Sequence, residues 1–177
     1  MDSAYQEERL ERRVLWRKLT LDDIDSLASI ANKIHPGLPE SNEVFLERVG
    51  LFPKGCLALV DRQSNELVGY AISHPISYRQ SPALNSLLGT LCQDADQYYI
   101  HDLAILPEWQ GEGYAKTCIE QILQISKGYE TTGLVSVYGT ATFWEKFGFK
   151  PVETNDVLNA KLSAYGEDAV FLERQNR

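Results

Sequence analysis

The sequence predicts a mixed α/β (α+β) fold built on a mostly antiparallel sheet of about six to seven strands. Three observations carry that expectation. Short apolar runs, such as CLALV at 56–60 and LVGYAISH at 67–74, recur between turn residues as strands of a hairpin do. Segments with helical spacing of apolar residues alternate with them. One stretch, 98–123 (YYIHDLAILPEWQGEGYAKTCIEQIL), runs from strand through glycine turn to helix, and a helix between strands calls for a parallel crossover.

Taken in order, residues 1–12 are polar and charge-dense, a frayed helix or a flexible lead. Residues 14–19 (VLWRKL) read as a first strand. Thr20 is placed as a helix N-cap, with Asp22 and Asp23 complementing the helix dipole. Ile24, Leu27, Ala28, Ala31 and Ile34 give that helix its buried face, and His35-Pro36-Gly37 stops it. A second helix starts near Ser41 with Val44, Phe45, Leu46 and Val49 inward. After the turn Pro53-Lys54-Gly55 comes the hairpin 56–60 and 67–74, joined by 61–65. Residues 75–97 are irregular, but Leu84, Leu87, Leu88 and Leu91 have helical spacing, so a short helix or lid is expected there as a substrate wall.

The strand from Tyr98 ends at Pro107. Beyond the glycines, Ala115, Cys118, Ile119, Ile122 and Leu123 form a helical stripe that closes at Gly128. Residues 134–138 (LVSVY) are the next strand, 140–147 (TATFWEKF) a short helix ending at Gly148, and 149–152 and 169–172 the last strands. No repeat or linker divides the chain, so 1–177 reads as a single domain.

Composition narrows the function classes. The formal net charge of −8 speaks against a nucleic-acid surface and is compatible with a cationic small substrate. No apolar run approaches a membrane span, and the charged opening MDSAYQEERLERR is unlike a signal peptide, so cytoplasmic residence is expected. Cys56, Cys92 and Cys118 lack paired spacing, and His35, His74 and His101 are scattered, so no metal is expected.

The glycine turn Gln110-Gly111-Glu112-Gly113-Tyr114-Ala115 between strand and helix presents backbone N–H groups at a helix N-terminus, where a phosphate is stabilised by donors and dipole. Glycines also serve any tight turn. The fuller pattern Gln-x-x-Gly-x-Ala, the run FWEKFGF at 143–149, the strand Leu103-Ala104-Ile105 and the order of elements together resemble the GCN5-related N-acetyltransferase superfamily over nearly the whole chain. GCLALV, VGYAISHP and YYIHDLAI are similar to its arylalkylamine N-acetyltransferase branch and that branch's bacterial relatives.

The resemblance implies helices on both sheet faces, a splay between the fourth and fifth strands, and acetyl-coenzyme A as co-substrate. It implies transfer of an acetyl group to a primary amine, a small arylalkylamine or polyamine, by direct attack in a ternary complex. The protein would act as a monomer or homodimer without nucleic acid or membrane. An acetyltransferase of protein N-termini or lysines, and a non-catalytic acyl-coenzyme A module, are the rival readings. Pantetheine is assigned by resemblance to Leu103, Ala104 and Ile105, and pyrophosphate to Gln110, Gly111, Glu112, Gly113, Tyr114 and Ala115; Trp144 also lies on the cofactor side.

An alkylammonium must lose a proton before it attacks, and the leaving thiolate must gain one. His101 is the first candidate base, a structural histidine being the other reading, and Asp102 is the alternative. In a regular strand Asp102 faces away from His101 unless a bulge turns it. The resemblance places the family's usual acid, a tyrosine, where Trp144 stands here; Tyr138 is the candidate acid, with plain packing as its other reading and solvent or the outgoing ammonium as other proton sources. His35, Phe45, Tyr70, His74 and Tyr78 are possible pocket walls.

Overall fold

The computed structural model describes residues 13–177, so the lead expected over residues 1–12 lies outside the described residues. Seven strands form one sheet there: β1 (Val14–Lys18), β2 (Cys56–Asp61), β3 (Glu66–Ile76), β4 (Gln97–Ile105), β5 (Thr131–Ser136), β6 (Lys150–Pro151) and β7 (Val170–Gln175). Their spatial order is β1-β2-β3-β4-β5-β7-β6. All neighbours are antiparallel except β4 and β5. The five α-helices among the described residues are α1 (Ile24–Ile34), α2 (Asn42–Leu51), α3 (Tyr114–Ser126), α4 (Ala141–Glu145) and α5 (Asp156–Ser163). Helix α3 carries the chain from β4 back to the start of β5, which is why that pair runs parallel.

Alternation along the strands sorts the core into layers. On one face Leu27, Ala31, Phe45 and Val49 of α1 and α2 pack on Ala58, Val60, Tyr70, Ile72 and Ala104. On the other, Cys118, Ile119 and Ile122 of α3 pack with Leu57, Ala71, Ile100, Leu134, Trp144 and Phe149. Leu158 and Leu162, one turn apart on α5, cover Tyr99 and Phe171 near the far edge. Each large apolar side chain buried this way contributes roughly 1.5–3 kcal/mol.

The parallel register of β4 and β5 runs from Gln97↔Thr131 to Ile100↔Leu134 and then stops, although both strands continue. From His101 onward the two strands diverge, the expected splay. The β5-facing edge of the last part of β4 therefore has no strand partner.

Three elements differ from the sequence reading. The helix expected over Leu84–Leu91 is absent. Asn85 and Gly89 take left-handed backbone conformations (φ 55° and 74°), and the N–H groups of Asn85, Leu88 and Gly89 are bonded by the carboxylates of Glu40 and Glu47 instead of by helical carbonyls. Helix α5 was not anticipated; Asn155 caps it by accepting from the Leu158 N–H at 2.9 Å, and two leucines are too short a stripe to announce it. Strand β5 begins earlier than expected, at Thr131, and ends two residues before Tyr138.

Candidate active site

The site begins with an irregularity in β4. Its register with β3 runs from Ile76↔Gln97 to Ser73↔Ile100 and resumes at Ile72↔Asp102, leaving His101 as the extra residue of a β-bulge. An unbroken strand would send His101 and Asp102 to opposite faces. The bulge cancels one step of alternation, and both side chains reach partners on the face covered by α1 and α2.

Those partners make two histidine–carboxylate pairs. His101 Nε2 lies 2.8 Å from Glu40 Oε1, a residue of the α1–α2 connection. Asp102 Oδ1 lies 3.0 Å from Nε2 of His35, the residue that ends α1, and Asp102 Oδ2 accepts from the Tyr70 hydroxyl at 2.5 Å. All four members of the two pairs are largely shielded from solvent, His101 most of all with 2% of its side chain exposed.

Charge follows this geometry. Burial works to raise the Asp102 carboxyl, but the hydrogen bond and charge of His35 and the Tyr70 bond outweigh it and hold the carboxyl below its usual range. Burial works to lower His35, but the bond and charge of Asp102, helped by the charge of Glu40, raise it. Burial likewise favours neutral Glu40, and His101 overrides it, so this carboxyl too is held down. His74, fully buried with its ring centroid 6.1 Å from that of His101, is pushed by burial down to about 3 and stays neutral at physiological pH. The outer ring nitrogens of His35 and His101, both Nδ1, are buried with no hydrogen-bond partner.

His35, Glu40, His101 and Asp102 line one cavity of about 590 Å³ that extends along the splay to the glycine turn. His101, Asp102, Leu103, Ala104, Ile105, Gln110, Gly111, Gly113, Tyr114, Ala115, Tyr138 and Trp144 all line it. Glu112 does not; it points into solvent, so backbone is all it can offer the site. Gly111 and Gly113 have φ of 85° and 84°, and a Cβ on either would meet nothing within 4 Å. The space in front of the turn is open and the backbone is bare. Gln110 fixes the turn to the end of β4 by donating from Nε2 to the Ile105 carbonyl at 2.7 Å. The first N–H groups of α3 have no carbonyl of their own helix to bond. Open strand edge, bare turn and helix N-terminus in one line fit an elongated thioester carrying phosphates.

Tyr138 is 52% exposed and sits at φ 55°, with its ring stacked on His35 at 5.7 Å and 10° between planes. Trp144 is buried among Phe143, Phe147 and Phe149 while one side faces the cavity. Of the other proposed walls, His35 and Phe45 line the cavity. Tyr70 and His74 are buried in the sheet and do not line it, Tyr70 bonding Asp102 from behind, and Tyr78 instead contacts Glu173 at the far side of the loop. Cys56 and Cys118 are buried thiols whose burial raises them, Cys56 to about 12, so neither is a nucleophile at neutral pH. Glu40 and the ion-pair role of His35 escaped the sequence reading. Their partners lie 61 and 67 residues away, and no local pattern announces them.

Residues 21–149 match the family model described as Acetyltransferase (GNAT) family. The chain is 30% identical over 116 residues to tRNA(Met) cytidine acetyltransferase TmcA of Saccharolobus islandicus (strain Y.G.57.14 / Yellowstone #1), a match covering 60% of this chain and 14% of that protein. The chain thus spans only a small part of that relative. Among solved structures it is similar to GphF, a GNAT-like decarboxylase in complex with isobutyryl-CoA (TM-score 0.74, 16% identity, 92% of this chain and 100% of that one). It is also similar to Arabidopsis thaliana Naa50 in complex with the bisubstrate analogue CoA-Ac-MVNAL (TM-score 0.67, 14% identity, 92% and 99%). At such identities the two structures speak for the fold, and the family model speaks for the lineage. The chain belongs to the acetyltransferase (GNAT) family, whose acyl donor is acetyl-coenzyme A.

Proposed function

We propose that this chain acetylates the primary amine of a small molecule, of the arylalkylamine or polyamine kind, by direct attack on acetyl-coenzyme A within a ternary complex. The observation that carries this reading is the closure of the acceptor end. The 77–96 loop is bonded across to the α1–α2 region: Ser41 N–H to Asn85 Oδ1 (2.8 Å), Asn85 N–H to Glu40 (3.1 Å), and Leu88 and Gly89 N–H to Glu47 (2.7 and 2.9 Å). From the other side Lys161 Nζ donates to the Ser81 carbonyl at 2.7 Å. A wall tied this way suits a compact acceptor better than an extended peptide. Aromatic groups (Phe45, Tyr138, Tyr165) beside two ionised carboxylates, Glu40 and Asp102, suit an ammonium attached to an apolar body.

In this reading the open edge at Leu103, Ala104 and Ile105 receives pantetheine amides, and the Gln110–Ala115 turn cradles pyrophosphate. The acetyl donor supplies the electrophilic thioester carbon. His101 removes a proton from the ammonium, with Glu40 fixing its tautomer, as an orienting carboxylate does for a catalytic imidazole. Asp102 adds the negative field that draws the ammonium in. A strand-edge N–H near Leu103 stabilises the negative charge that develops on the thioester oxygen. The Trp144 indole N–H is far too weak an acid to protonate a thiolate, so the leaving group needs another donor; Tyr138, whose phenol burial keeps above its ordinary value, is the candidate the sequence offers.

The test is a thermal-shift titration followed by an amine screen with thiol detection. Acetyl-coenzyme A at about 100 times its Kd adds about 2.7 kcal/mol to folding stability. His101→Ala should lose turnover and keep the cofactor-induced shift. No shift at saturating cofactor overturns the transfer reading, and full activity of His101→Ala makes His101 structural. Activity confined to peptides favours protein acetylation instead, and a shift without turnover on any amine favours a binding module.

A further inference from the structure

The replacement of the expected tyrosine by Trp144 leaves the leaving thiolate without its usual donor, and the cavity holds a group suited to the task. Resting on the transfer reading, we propose that His35 is the general acid of this site, held as an imidazolium by Asp102 and delivering its Nδ1 proton to the departing thiolate.

Four features of the structure carry this. His35 lines the same cavity as the splayed end of β4 and Trp144. Its Nε2 is engaged by Asp102 at 3.0 Å, which leaves Nδ1 as the only ring nitrogen able to act. That Nδ1 is buried without a partner, a position that a structural histidine normally satisfies. Its ring lies nearly parallel to that of Tyr138 with centroids 5.7 Å apart, close enough for the phenol ring to favour an imidazolium. Tyr138 has a left-handed backbone, φ 55°, a conformation that costs a non-glycine residue energy and gathers at functional sites.

The charged and titratable groups facing His35 come from three elements. Asp102 of β4 contacts it directly, Glu40 of the α1–α2 connection adds a second negative charge, and Tyr138 after β5 covers the ring. Both carboxylates favour the protonated ring, and together they outweigh its burial. His101 is paired with Glu40 and Tyr70 with Asp102, so neither competes for Nδ1.

Protons balance over one turnover. An ammonium carries three N–H bonds and the amide product one, so two protons leave nitrogen. His101 takes the first and releases it to solvent. As the C–N bond forms and the C–S bond breaks, sulfur keeps the C–S electron pair and takes the Nδ1 proton of His35. The second proton from nitrogen returns to His35 Nδ1, restoring the imidazolium. The sum is one amide, one thiol and one released proton, with His35 unchanged.

The experiment has a ligand-free arm and a kinetic arm. NMR titration of the wild-type protein without ligand should show the His35 ring protonating above the range of free histidine, and Asp102→Asn should bring it back down. In turnover, the rate should fall as pH rises through that same value, because the acid form is lost. His35→Gln should lower kcat by roughly 10²-fold or more, remove this alkaline limb and leave acetyl-coenzyme A affinity intact. Tyr138→Phe keeps the stack without the hydroxyl, and the limb should remain. A His35 that titrates at or below free histidine overturns the proposal. So does a wild type that turns over while His35→Gln keeps its alkaline limb, or loss of the limb in Tyr138→Phe; these leave the transfer reading standing. A wild type that folds and binds cofactor but releases no thiol with any amine removes both.

Discussion

Replacing Glu47 with alanine should loosen both the fold and the acceptor pocket, and the size of the effect follows from what Glu47 holds. Its Oε1 accepts from the Leu88 N–H at 2.7 Å and from Arg48 Nη1 at 2.5 Å, and its Oε2 accepts from the Gly89 N–H at 2.9 Å. Arg48 has no exposed side-chain surface, and its Nη2 donates to the Ser86 carbonyl at 2.9 Å. Burial pushes the Arg48 guanidinium down even against the pull of Glu47 and Glu40, so the carboxylate is compensating a charge that the interior disfavours. Glu47→Ala strands that charge, and breaking a buried pair from one side costs about 3–5 kcal/mol. Glu47→Gln keeps the shape and one acceptor oxygen and should lose about 1.5–3 kcal/mol, the worth of charged hydrogen bonds. The double variant Glu47→Leu with Arg48→Met removes both charges and should be less damaged than Glu47→Ala alone. Urea unfolding read as midpoints at constant slope measures all three. Because Leu88 and Gly89 lose their acceptor, the amine KM should also rise in Glu47→Ala while acetyl-coenzyme A binding is kept. A loss below about 1 kcal/mol, or an unchanged amine KM, would refute the view that this ion pair straps the loop.

Other perturbations probe the cofactor end, the core and the charge cluster. Gly113→Val places a β-branched residue at φ 84° and fills the open space before α3; isothermal titration should show acetyl-coenzyme A affinity falling at least about tenfold. Gly55→Ala would set a Cβ 2.1 Å from the Ser73 carbonyl oxygen and 2.8 Å from the Tyr98 hydroxyl, so a loss of about 2 kcal/mol or more is expected in urea, with wild-type stability as the contrary result. The His35–Asp102 pair should shape stability against pH in two directions. Asp102, with a lowered folded value, stabilises above its unfolded value and loses that contribution as pH falls through the folded one. His35, with a raised value, stabilises below its unfolded value and loses that contribution as pH rises through the folded one. Urea midpoints of Asp102→Asn between about pH 3 and about pH 9 should therefore vary less than those of wild type on both flanks.

Where local rules govern the backbone, the sequence was a sufficient guide. The β2–β3 hairpin, the stop of α1 at His35 and the strand–glycine–helix passage from β4 into α3 each follow from periodicity and turn chemistry within a dozen residues. Helix α5 was missed because its local signal is short, but the failures that bear on the site share one physical cause: the deciding partner is remote in sequence. Leucine spacing at 84–91 suggested a helix, but Glu40 and Glu47 compete for the same N–H groups from the opposite wall and win with charge. Tyr138 belongs to a strand by composition, but the pairing of β5 with β7 ends at Ser136.

His101 and Asp102 are the sharpest case, because alternation alone sends them apart. Nothing in YYIHDLAI marks the bulge; it exists because β3 and β4 keep register on both sides of an extra residue. The same bulge stands where β4 parts from β5, since the last parallel pair is Ile100↔Leu134. One inserted residue thus turns two acid–base side chains toward the acceptor wall at the point where the strand edge becomes free for a thioester. Fold and chemistry meet at that residue. His35, read from sequence only as a candidate wall, gains its proposed role as proton donor from the same arrangement: Trp144 on α4 offers no acid for a thiolate, and the imidazole paired with Asp102 lies on the wall that the bulge faces.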